Sequence, residues 1–261
     1  MSRPTVFISG AAAGIGRATA LAFAAEGYHV GAYDIDEPGL DLLRDEIEQA
    51  GGSVRVGVLN VTDPVQWESA LAAFQADEDR LDILVNNAGV LSSGPFEQTD
   101  VAAHRRMIDI NVAGVVYGCH AGFRYLRDTP GAQLVNLCSS SAIYGQPEMA
   151  TYSATKFAVR GLTEALDLEW RRHDIRVIAM WPIFVQTALI DGMDIGTLRT
   201  FGVHLRPDDV AAEIVAATRP SRRGVRKVHY PIGRQAKVLA NLAKFSPDWL
   251  KRQSNKRASH L

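Results

Sequence analysis

Short apolar runs alternate with longer amphipathic runs along most of this chain. The apolar runs predict buried strands at Thr5–Ser9, His29–Asp34, Ser53–Leu59, Leu81–Val85, Leu134–Leu137, Arg176–Met180 and Val225–Tyr230. Helical spacing predicts helices at Gly14–Glu26, Pro38–Ala50, Pro64–Gln75, Val101–Tyr125 and Thr151–Arg172. Strands rich in Val, Ile and Leu that alternate with helices are typical of a parallel sheet covered on both faces. We therefore predict the α/β class with a doubly wound sheet.

Length and composition agree with this class. The 261 residues are 47% apolar and 22% charged, which is ordinary for a globular protein, and no repeat or linker divides them, so we expect a single domain. An apolar strand begins close to Met1, which leaves no room for a signal peptide, and we expect a cytoplasmic protein. Cys119 and Cys138 are expected to be reduced thiols. No His, Cys, Asp or Glu cluster has metal-ligand spacing, so no metal site is expected.

The charge is unevenly distributed although the net charge is only −1. Twelve of the 28 Lys and Arg residues lie between Arg219 and Leu261, where Asp248 is the single acid. A solvated helical face is the simplest interpretation of this basic tail. Packing over a substrate pocket, a subunit contact and an anionic membrane are the alternatives. Nucleic acid is not expected as a partner, because no helix-turn-helix, zinc site or aromatic-basic pattern occurs.

A glycine-rich turn follows the first predicted strand. Gly10, Gly14 and Gly16 have the spacing Gly-x-x-x-Gly-x-Gly and lead directly into a helix. Glycine permits positive φ and a close approach of backbone to a pyrophosphate, and the start of the helix offers free N–H groups. An ordinary strand-to-helix turn is the alternative. The position in the first β-α-β unit favours a dinucleotide site.

The end of the second strand indicates which dinucleotide is bound. Asp34 lies about twenty residues beyond the glycines, where a carboxylate accepts hydrogen bonds from the ribose hydroxyls and repels a 2′-phosphate. The neighbouring positions Ile35 and Ala13 are not basic, and Arg17 is the one nearby cation. We predict NAD(H) in preference to NADP(H). The alternative is that Asp34 only ends a strand or begins a turn.

Three further motifs are expected at the same edge of the sheet. Tyr152 and Lys156 are one helical turn apart, so the phenol and the ammonium project on one face, and the ammonium should lower the pKa of the phenol. Ser139 follows the fifth strand, and Asn86–Gly89 end the fourth. Because ligands bind beyond the carboxyl ends of parallel strands, these groups and the glycine turn should meet in one crevice.

The chain to about Tyr230 resembles the short-chain dehydrogenase/reductase family. The motifs that carry the resemblance are Gly10–Gly16, Asn86–Gly89, Asn111, Ser139 and Tyr152–Lys156. The resemblance implies one Rossmann-like domain with about seven strands in the order 3-2-1-4-5-6-7. Residues 1–230 would form the dinucleotide-binding and catalytic part, and residues 231–261 a basic C-terminal extension of the same domain or a subunit or membrane contact. The resemblance also implies a homotetramer or homodimer.

The resemblance also assigns roles to single residues. Tyr152 would exchange a proton with the substrate oxygen, Ser139 would bind that oxygen, Lys156 would hold the nicotinamide ribose, and Asn111 would hold a water of a proton relay. The residues placed at the dinucleotide are Gly10, Ala13, Gly14, Ile15, Gly16, Asp34, Ile35, Asn60, Val61, Asn87, Ala88, Gly89, Tyr152, Lys156, Pro182, Val185 and Thr187.

Three positions depart from the family pattern. Asn60 stands where Asp is usual, Cys138 where Ser is common, and Ile183 where Gly is usual. An amide oxygen at Asn60 can still accept a hydrogen bond from adenine. A β-branched residue does not readily adopt positive φ, so we expect a changed loop after Pro182.

The substrate side is predominantly apolar. The segment Ala188–Leu205 is the expected lid, and the expected substrate contacts are Leu91, Ser141, Ile143, Tyr144, Gln146, Phe184 and Leu189. This lining favours a lipophilic secondary alcohol or ketone. Packing of the lid on its own body or on another subunit is the alternative. A non-catalytic, dinucleotide-sensing protein of the same fold is the alternative function, but the presence of Tyr152, Lys156 and Ser139 favours an enzyme.

Overall fold

Seven parallel strands form one sheet in the computed structural model, which describes residues 3–76, 78–219 and 227–260. The strands are β1 Thr5–Ser9, β2 His29–Asp34, β3 Ser53–Val58, β4 Ile83–Asn86, β5 Gln133–Leu137, β6 Arg176–Pro182 and β7 His229–Ile232. Their spatial order is 3-2-1-4-5-6-7, which confirms the predicted fold class and order. Residues 225 and 226 of the predicted seventh strand lie outside the described residues, and β7 begins later than predicted.

The described helices are α1 Gly14–Ala25, α2 Glu37–Gln49, α3 Pro64–Gln75, α4 Val101–Ile108, α5 Gly114–Arg127, α6 Ala150–Glu169, α7 Gly196–Phe201, α8 Pro207–Thr218, α9 Arg234–Phe245 and α10 Asp248–Ala258. The helix predicted from Val101 to Tyr125 is divided between α4 and α5 by a π-helical turn at Asp109–Ala113. The sequence predicts no helix at α7 or α8, and it indicates a helical face in the basic tail without the bounds of α9 and α10.

Local capping explains where several helices begin. The side chains of Asp36, Asp63 and Asp100 accept hydrogen bonds from backbone N–H groups in the first turns of α2, α3 and α4. Proline also occupies the first turn of α2 and of α3, where its missing N–H costs no hydrogen bond. These helices therefore start at positions that their own sequences specify.

The sheet separates two apolar cores. On β1, Phe7 belongs to one core with Trp67 and Phe74 of α3, and its neighbours Val6 and Ile8 belong to the other. The first core also receives α5 and α6, and the second receives α1, α2 and α8. Successive strand residues point to opposite faces, so buried parallel strands need apolar residues at nearly every position. This requirement accounts for the continuous apolar runs in the sequence.

The carboxyl ends of the strands share one edge of the sheet because all of the described pairings are parallel. Ser9, Asp34, Asn86, Leu137 and Pro182 end their strands at this edge. The loops that carry the predicted site residues therefore meet there. Among the described residues, no helix combines the length and apolar character that crossing a bilayer requires.

Candidate active site

The turn between β1 and α1 is built for close approach of backbone. Gly10 and Gly14 have φ of 67° and 54°, in the left-handed region. A Cβ added to Gly16 would lie only 1.9 Å from the carbonyl oxygen of Gly10. No side chain caps the start of α1, and its first turn carries no acidic residue. The first N–H groups of α1 are thus available to an anion, which fits the pyrophosphate of a dinucleotide.

The end of β4 fixes this glycine turn in place. Asn87 Nδ2 donates to the carbonyl oxygens of Ser9 at 3.1 Å and Gly10 at 2.7 Å. The backbone N–H groups of Asn87 and Ala88 donate to Ser9 Oγ at 3.2 and 3.3 Å. The predicted Asn86–Gly89 motif therefore supports the neighbouring strand end, in addition to lining the cleft with Asn87, Ala88 and Gly89.

The Asp34 carboxylate lines the cleft at the end of β2. One oxygen accepts from Ala12 N at 3.0 Å, and the other accepts from Ile35 N at 2.7 Å and from Asp36 N at 3.2 Å. These three backbone donors hold the carboxylate at the cleft wall. Arg17, the one cation that the sequence placed nearby, forms an ion pair with Glu46 of α2. Its guanidinium is therefore occupied by a carboxylate of the protein.

The Asn60 side chain is used locally. Its Oδ1 accepts from Thr62 N at 3.1 Å and from Thr62 Oγ1 at 2.9 Å. Asn60 and Val61 both line the cleft as expected. An adenine amino group would therefore compete with Thr62 for the amide oxygen.

Asn111 is fully buried in the π-helical turn. Its side chain binds both backbone polar groups of Val90, with Val90 N donating to Oδ1 at 2.8 Å and Nδ2 donating to Val90 O at 2.8 Å. Nδ2 also donates to Thr155 Oγ1 at 3.2 Å. π-Helical turns are frequent at functional sites. Here the side chain of Asn111 connects the loop after β4 to α6, while its role toward water stays a prediction.

The loop after β5 positions Ser139. Its backbone is extended, and the next three residues form a single 3₁₀ turn. Ser139 Oγ accepts from Ser141 N at 3.1 Å and donates to Ser141 Oγ at 3.2 Å, and its hydroxyl acts on the Tyr152 phenol in the direction that lowers the pKa of that phenol. The preceding thiol, Cys138 Sγ, donates to the carbonyl oxygen of Lys156 at 3.2 Å. The turn therefore brings Ser139 to the hydroxyl of Tyr152.

Tyr152 and Lys156 lie in the first turns of α6, with Lys156 Nζ 5.5 Å from the centroid of the Tyr152 ring. Lys156 Nζ donates to the carbonyl oxygen of Leu137 at 2.9 Å, at the end of β5. An ammonium has three donors, so this bond leaves two for a ligand. Both side chains are buried and both line the cleft.

Burial controls the ionisation of this pair. It raises the pKa of the Tyr152 phenol, and the hydrogen bond with Ser139 opposes that shift only in part. Burial likewise lowers the pKa of the Lys156 ammonium. The expected lowering of the Tyr152 pKa by Lys156 is therefore not seen, and burial raises that pKa instead. The protein by itself holds Tyr152 as a neutral phenol.

Nearly all predicted cofactor residues form the wall of one cleft. The one exception is Gly16, which does not line the cleft and whose missing side chain allows its backbone to approach Gly10 O closely. Of the predicted substrate residues, Leu91, Ser141, Gln146, Phe184 and Leu189 line the same cleft. Ile143 and Tyr144 lie outside its wall. The 3₁₀ turn that precedes them directs Ile143 onto the core formed with α5 and α6.

The loop after β6 accommodates Ile183 without strain. Positive φ occurs at Glu148, Asp174 and His260 among the described non-glycine residues, so Ile183 avoids the left-handed region. Its side chain is buried and lines the cleft. An isolated parallel bridge joins Val185 to Leu205 beyond it. The branched apolar side chain of Ile183 therefore fills part of the cleft that a glycine at this position would leave open.

The cleft also contains residues that the sequence analysis missed. Val90, Arg106, Ile110 and Met149 line it. Met149 comes three residues before Tyr152, and Ile110 directly precedes Asn111, so their distance from the known motifs could have indicated them. Arg106 and Lys156 are the two cations among the described residues of the wall. Both Arg105 and Arg106 are exposed, and nothing in the local sequence distinguishes them.

Comparisons with known proteins agree with this geometry. Residues 4–194 match the family model described as short chain dehydrogenase. The chain is 36% identical over 184 residues to a 3-oxoacyl-[acyl-carrier-protein] reductase of Thermotoga maritima, covering 70% of this chain and 75% of that protein. It is 35% identical over 185 residues to a 3-alpha-(or 20-beta)-hydroxysteroid dehydrogenase of Mycobacterium tuberculosis, covering 70% of each chain.

A solved structure gives the same result. The 3-ketoacyl-(acyl-carrier-protein) reductase of Brucella melitensis complexed with NADH superposes with a TM-score of 0.79 at 26% identity, over 87% of this chain and 95% of that chain. The chain therefore belongs to the short-chain dehydrogenase/reductase family of oxidoreductases. The names of the two relatives give different substrates, a 3-oxoacyl-[acyl-carrier-protein] and a hydroxysteroid, so the similarity leaves the substrate of this chain open.

Proposed function

We propose that this protein is an NAD(H)-dependent oxidoreductase that interconverts a secondary alcohol and a ketone. The observation that carries the proposal is the meeting of Tyr152, Ser139 and Lys156 on one wall of the cleft that also contains the glycine turn. A non-catalytic sensor of the same fold would have no need of this arrangement. Turnover that depends on the Tyr152 hydroxyl distinguishes the two.

The residues of the cleft fit a nicotinamide dinucleotide and assign a task to each side chain. The dinucleotide, when bound, supplies the hydride donor or acceptor. Tyr152 would give a proton to the carbonyl oxygen during reduction and accept it back during oxidation. Ser139 would donate a hydrogen bond to the same oxygen. The free donors of Lys156 would hold the ribose hydroxyls, and its charge would stabilise the Tyr152 phenolate.

The preference for NAD(H) rests on charge at the adenosine end. The Asp34 carboxylate would accept from the ribose hydroxyls and repel a 2′-phosphate, and Arg17 is already paired with Glu46. We expect NADH to bind at least about tenfold more tightly than NADPH, a difference of about 1.4 kcal/mol. Asp34→Ser should remove most of this preference. Tighter binding of NADPH to the wild-type protein would refute it.

A lipophilic substrate is supported by the surroundings of Tyr152. Its ring belongs to an apolar cluster with Met149 and Ile195, on which Leu91 and Phe184 pack. Each buried methylene is worth about 0.8 kcal/mol, or roughly fourfold in rate. Along a series of 2-alkanols, kcat/KM should therefore rise by roughly fourfold per methylene, and Leu91→Ser should flatten the series. A preference for short polyols would contradict this part of the proposal.

Assembly and location complete the proposal. We propose a homotetramer or homodimer whose interface uses α5 and α6, because α4 to α6 expose the large apolar side chains Val101, Ile108, Val116, Phe157 and Leu168. Light scattering of the purified protein tests this assembly. We also propose a cytoplasmic enzyme, in which residues 1–230 carry the cofactor and catalytic groups and residues 231–261 extend the same domain.

A further inference from the structure

The outward face of α9 is apolar. Val238, Leu242 and Phe245 follow each other at intervals of four and three residues, so they share one face of the helix. Their side chains are 49%, 60% and 89% exposed. Ala236 and Ala240 are buried and pack the opposite face against the body. The helix is therefore already anchored, and its outward stripe contributes nothing to that packing.

The next helix, α10, exposes an aromatic side chain together with positive charge. Trp249 is 66% exposed, and Arg252 and Lys256 follow it by three and seven residues, on the same face. Residues 231–261 contain seven Lys or Arg and a single acid, Asp248, which pairs with Lys251. Within the described part of the chain, no acid forms a salt bridge with Arg252 or Lys256. The result is an apolar and aromatic surface bordered by cations.

This surface adjoins the substrate lid. Asn255 Nδ2 donates to the carbonyl oxygen of Gly145 at 2.7 Å, and Thr200 Oγ1 donates to that of Ala258 at 2.8 Å. Gly196 at the start of α7 is so close to α10 that an added Cβ would lie 2.1 Å from the carbonyl oxygen of Ser259. Ile195 precedes it and packs in the apolar cluster around Tyr152.

We propose that the exposed face of α9 and α10 is a docking surface for an anionic lipid membrane. Lipid headgroups complement the cations, and Phe245 and Trp249 enter the boundary between headgroups and acyl chains, as in interfacial amphipathic helices. A two-fold contact between two copies of this face would oppose cations to cations. Residues 1–218 contain 16 basic and 28 acidic residues, so repulsion keeps that part of the protein away from the bilayer.

Vesicle binding by the full chain tests the proposal independently of the catalytic assignment, because it requires no turnover. Phosphatidylcholine vesicles with and without about 30% phosphatidylglycerol serve as probes in co-sedimentation, at low and high salt. We expect binding to the anionic vesicles that weakens with salt. Replacing Arg252 and Lys256 by Gln should lower the partition coefficient by roughly thirtyfold, at about fivefold per cation.

A second set of variants tests the exposed apolar and aromatic side chains of α9 and α10. Phe245→Ser combined with Trp249→Ser should abolish the binding that remains at high salt. Val65→Ser is the matched control, because Val65 is 71% exposed on α3 and has no cationic neighbours in its turn of the helix. All these side chains are exposed, so thermal midpoints should stay within about 2 °C of the wild type.

Each of three results would overturn the proposal. One is the absence of binding to anionic vesicles at low salt by the wild-type protein. The other is dissociation of the oligomer in light scattering when Phe245 and Trp249 are replaced, which would make this face a contact with a second copy of the chain. Unchanged vesicle binding by the same double variant would equally exclude an interfacial role for the apolar stripe.

Discussion

The glycine turn gives the most quantitative test of how this fold makes a dinucleotide site. In Gly16→Ala, the new Cβ would lie 1.9 Å from Gly10 O and 2.5 Å from Asn87 Nδ2. Both contacts must lengthen by about 1 Å or more, and both involve groups that are fixed by the ends of β1 and β4. Overpacking of this kind costs about 1–3 kcal/mol. A backbone clash belongs at the upper end of that range.

The helix propensity of alanine offsets part of that cost. Alanine is favoured over glycine inside a helix by about 1 kcal/mol, which leaves a net loss of about 2 kcal/mol in the free energy of unfolding. For a chain of this size, the thermal midpoint should fall by roughly 4–8 °C. Displacement of the turn also moves the first N–H groups of α1, so NADH affinity should fall at least about tenfold.

Denaturant unfolding followed by circular dichroism measures the stability, and NADH fluorescence measures the affinity. Gly161→Ala in α6 is the matched control, because Gly161 is exposed and a Cβ there would meet nothing within 4 Å. It should gain up to about 1 kcal/mol and bind NADH normally. A Gly16→Ala protein with wild-type stability and affinity would refute the close-approach argument.

Three other predictions concern protons, thiols and positioning. Because burial raises the pKa of Tyr152, its phenol stays protonated at neutral pH. The rate of ketone reduction should therefore be level between about pH 6 and 8, and the rate of alcohol oxidation should rise toward about pH 10. An optimum of the initial oxidation rate near pH 6 would contradict this. Burial raises the pKa of Cys119 to about 12 and that of Cys138 to about 11, so a thiol reagent should label native protein only as fast as it unfolds, and prompt labelling would exclude this account. Arg160 Nη1 donates to Ala142 O at 3.1 Å and so helps to position the turn after Ser139. Arg160→Met should therefore lower kcat by about tenfold and leave NADH affinity unchanged. An unaltered kcat would exclude this positioning role.

Patterns that repeat along the chain predicted most of the fold. Apolar runs and capping residues are local, and α2 and α3 begin within one residue of the predicted positions. The break between α4 and α5 was not predictable in this way, because it depends on Asn111 binding Val90, twenty-one residues earlier in the chain. The bounds of the helices α7 to α10 were not predictable, because their apolar residues face different surroundings: the lid, the body and the solvent. No single apolar face therefore marks them in the sequence.

The candidate site shows the same division. Spacing sufficed to find the glycine turn, Asp34 and the pair of Tyr152 and Lys156, since each belongs to one turn of a loop or helix. The direction of the Tyr152 pKa shift was not predictable, because helical spacing reveals the neighbouring ammonium but not the burial that raises the pKa. Arg106 lines the cleft because of how α4 packs, and no local sequence pattern indicates this position.

The most direct test of the central claim compares wild type with Tyr152→Phe. The experiment follows NADH formation from NAD⁺ and secondary alcohols, and measures NADH affinity on the same preparations. The variant removes one hydroxyl from a ring that stays in its apolar cluster. General acid–base catalysis contributes about 10²–10⁴-fold, so turnover should fall by at least about a hundredfold while NADH affinity changes little. Turnover that survives in Tyr152→Phe would contradict the assignment of Tyr152 as the proton-transferring group.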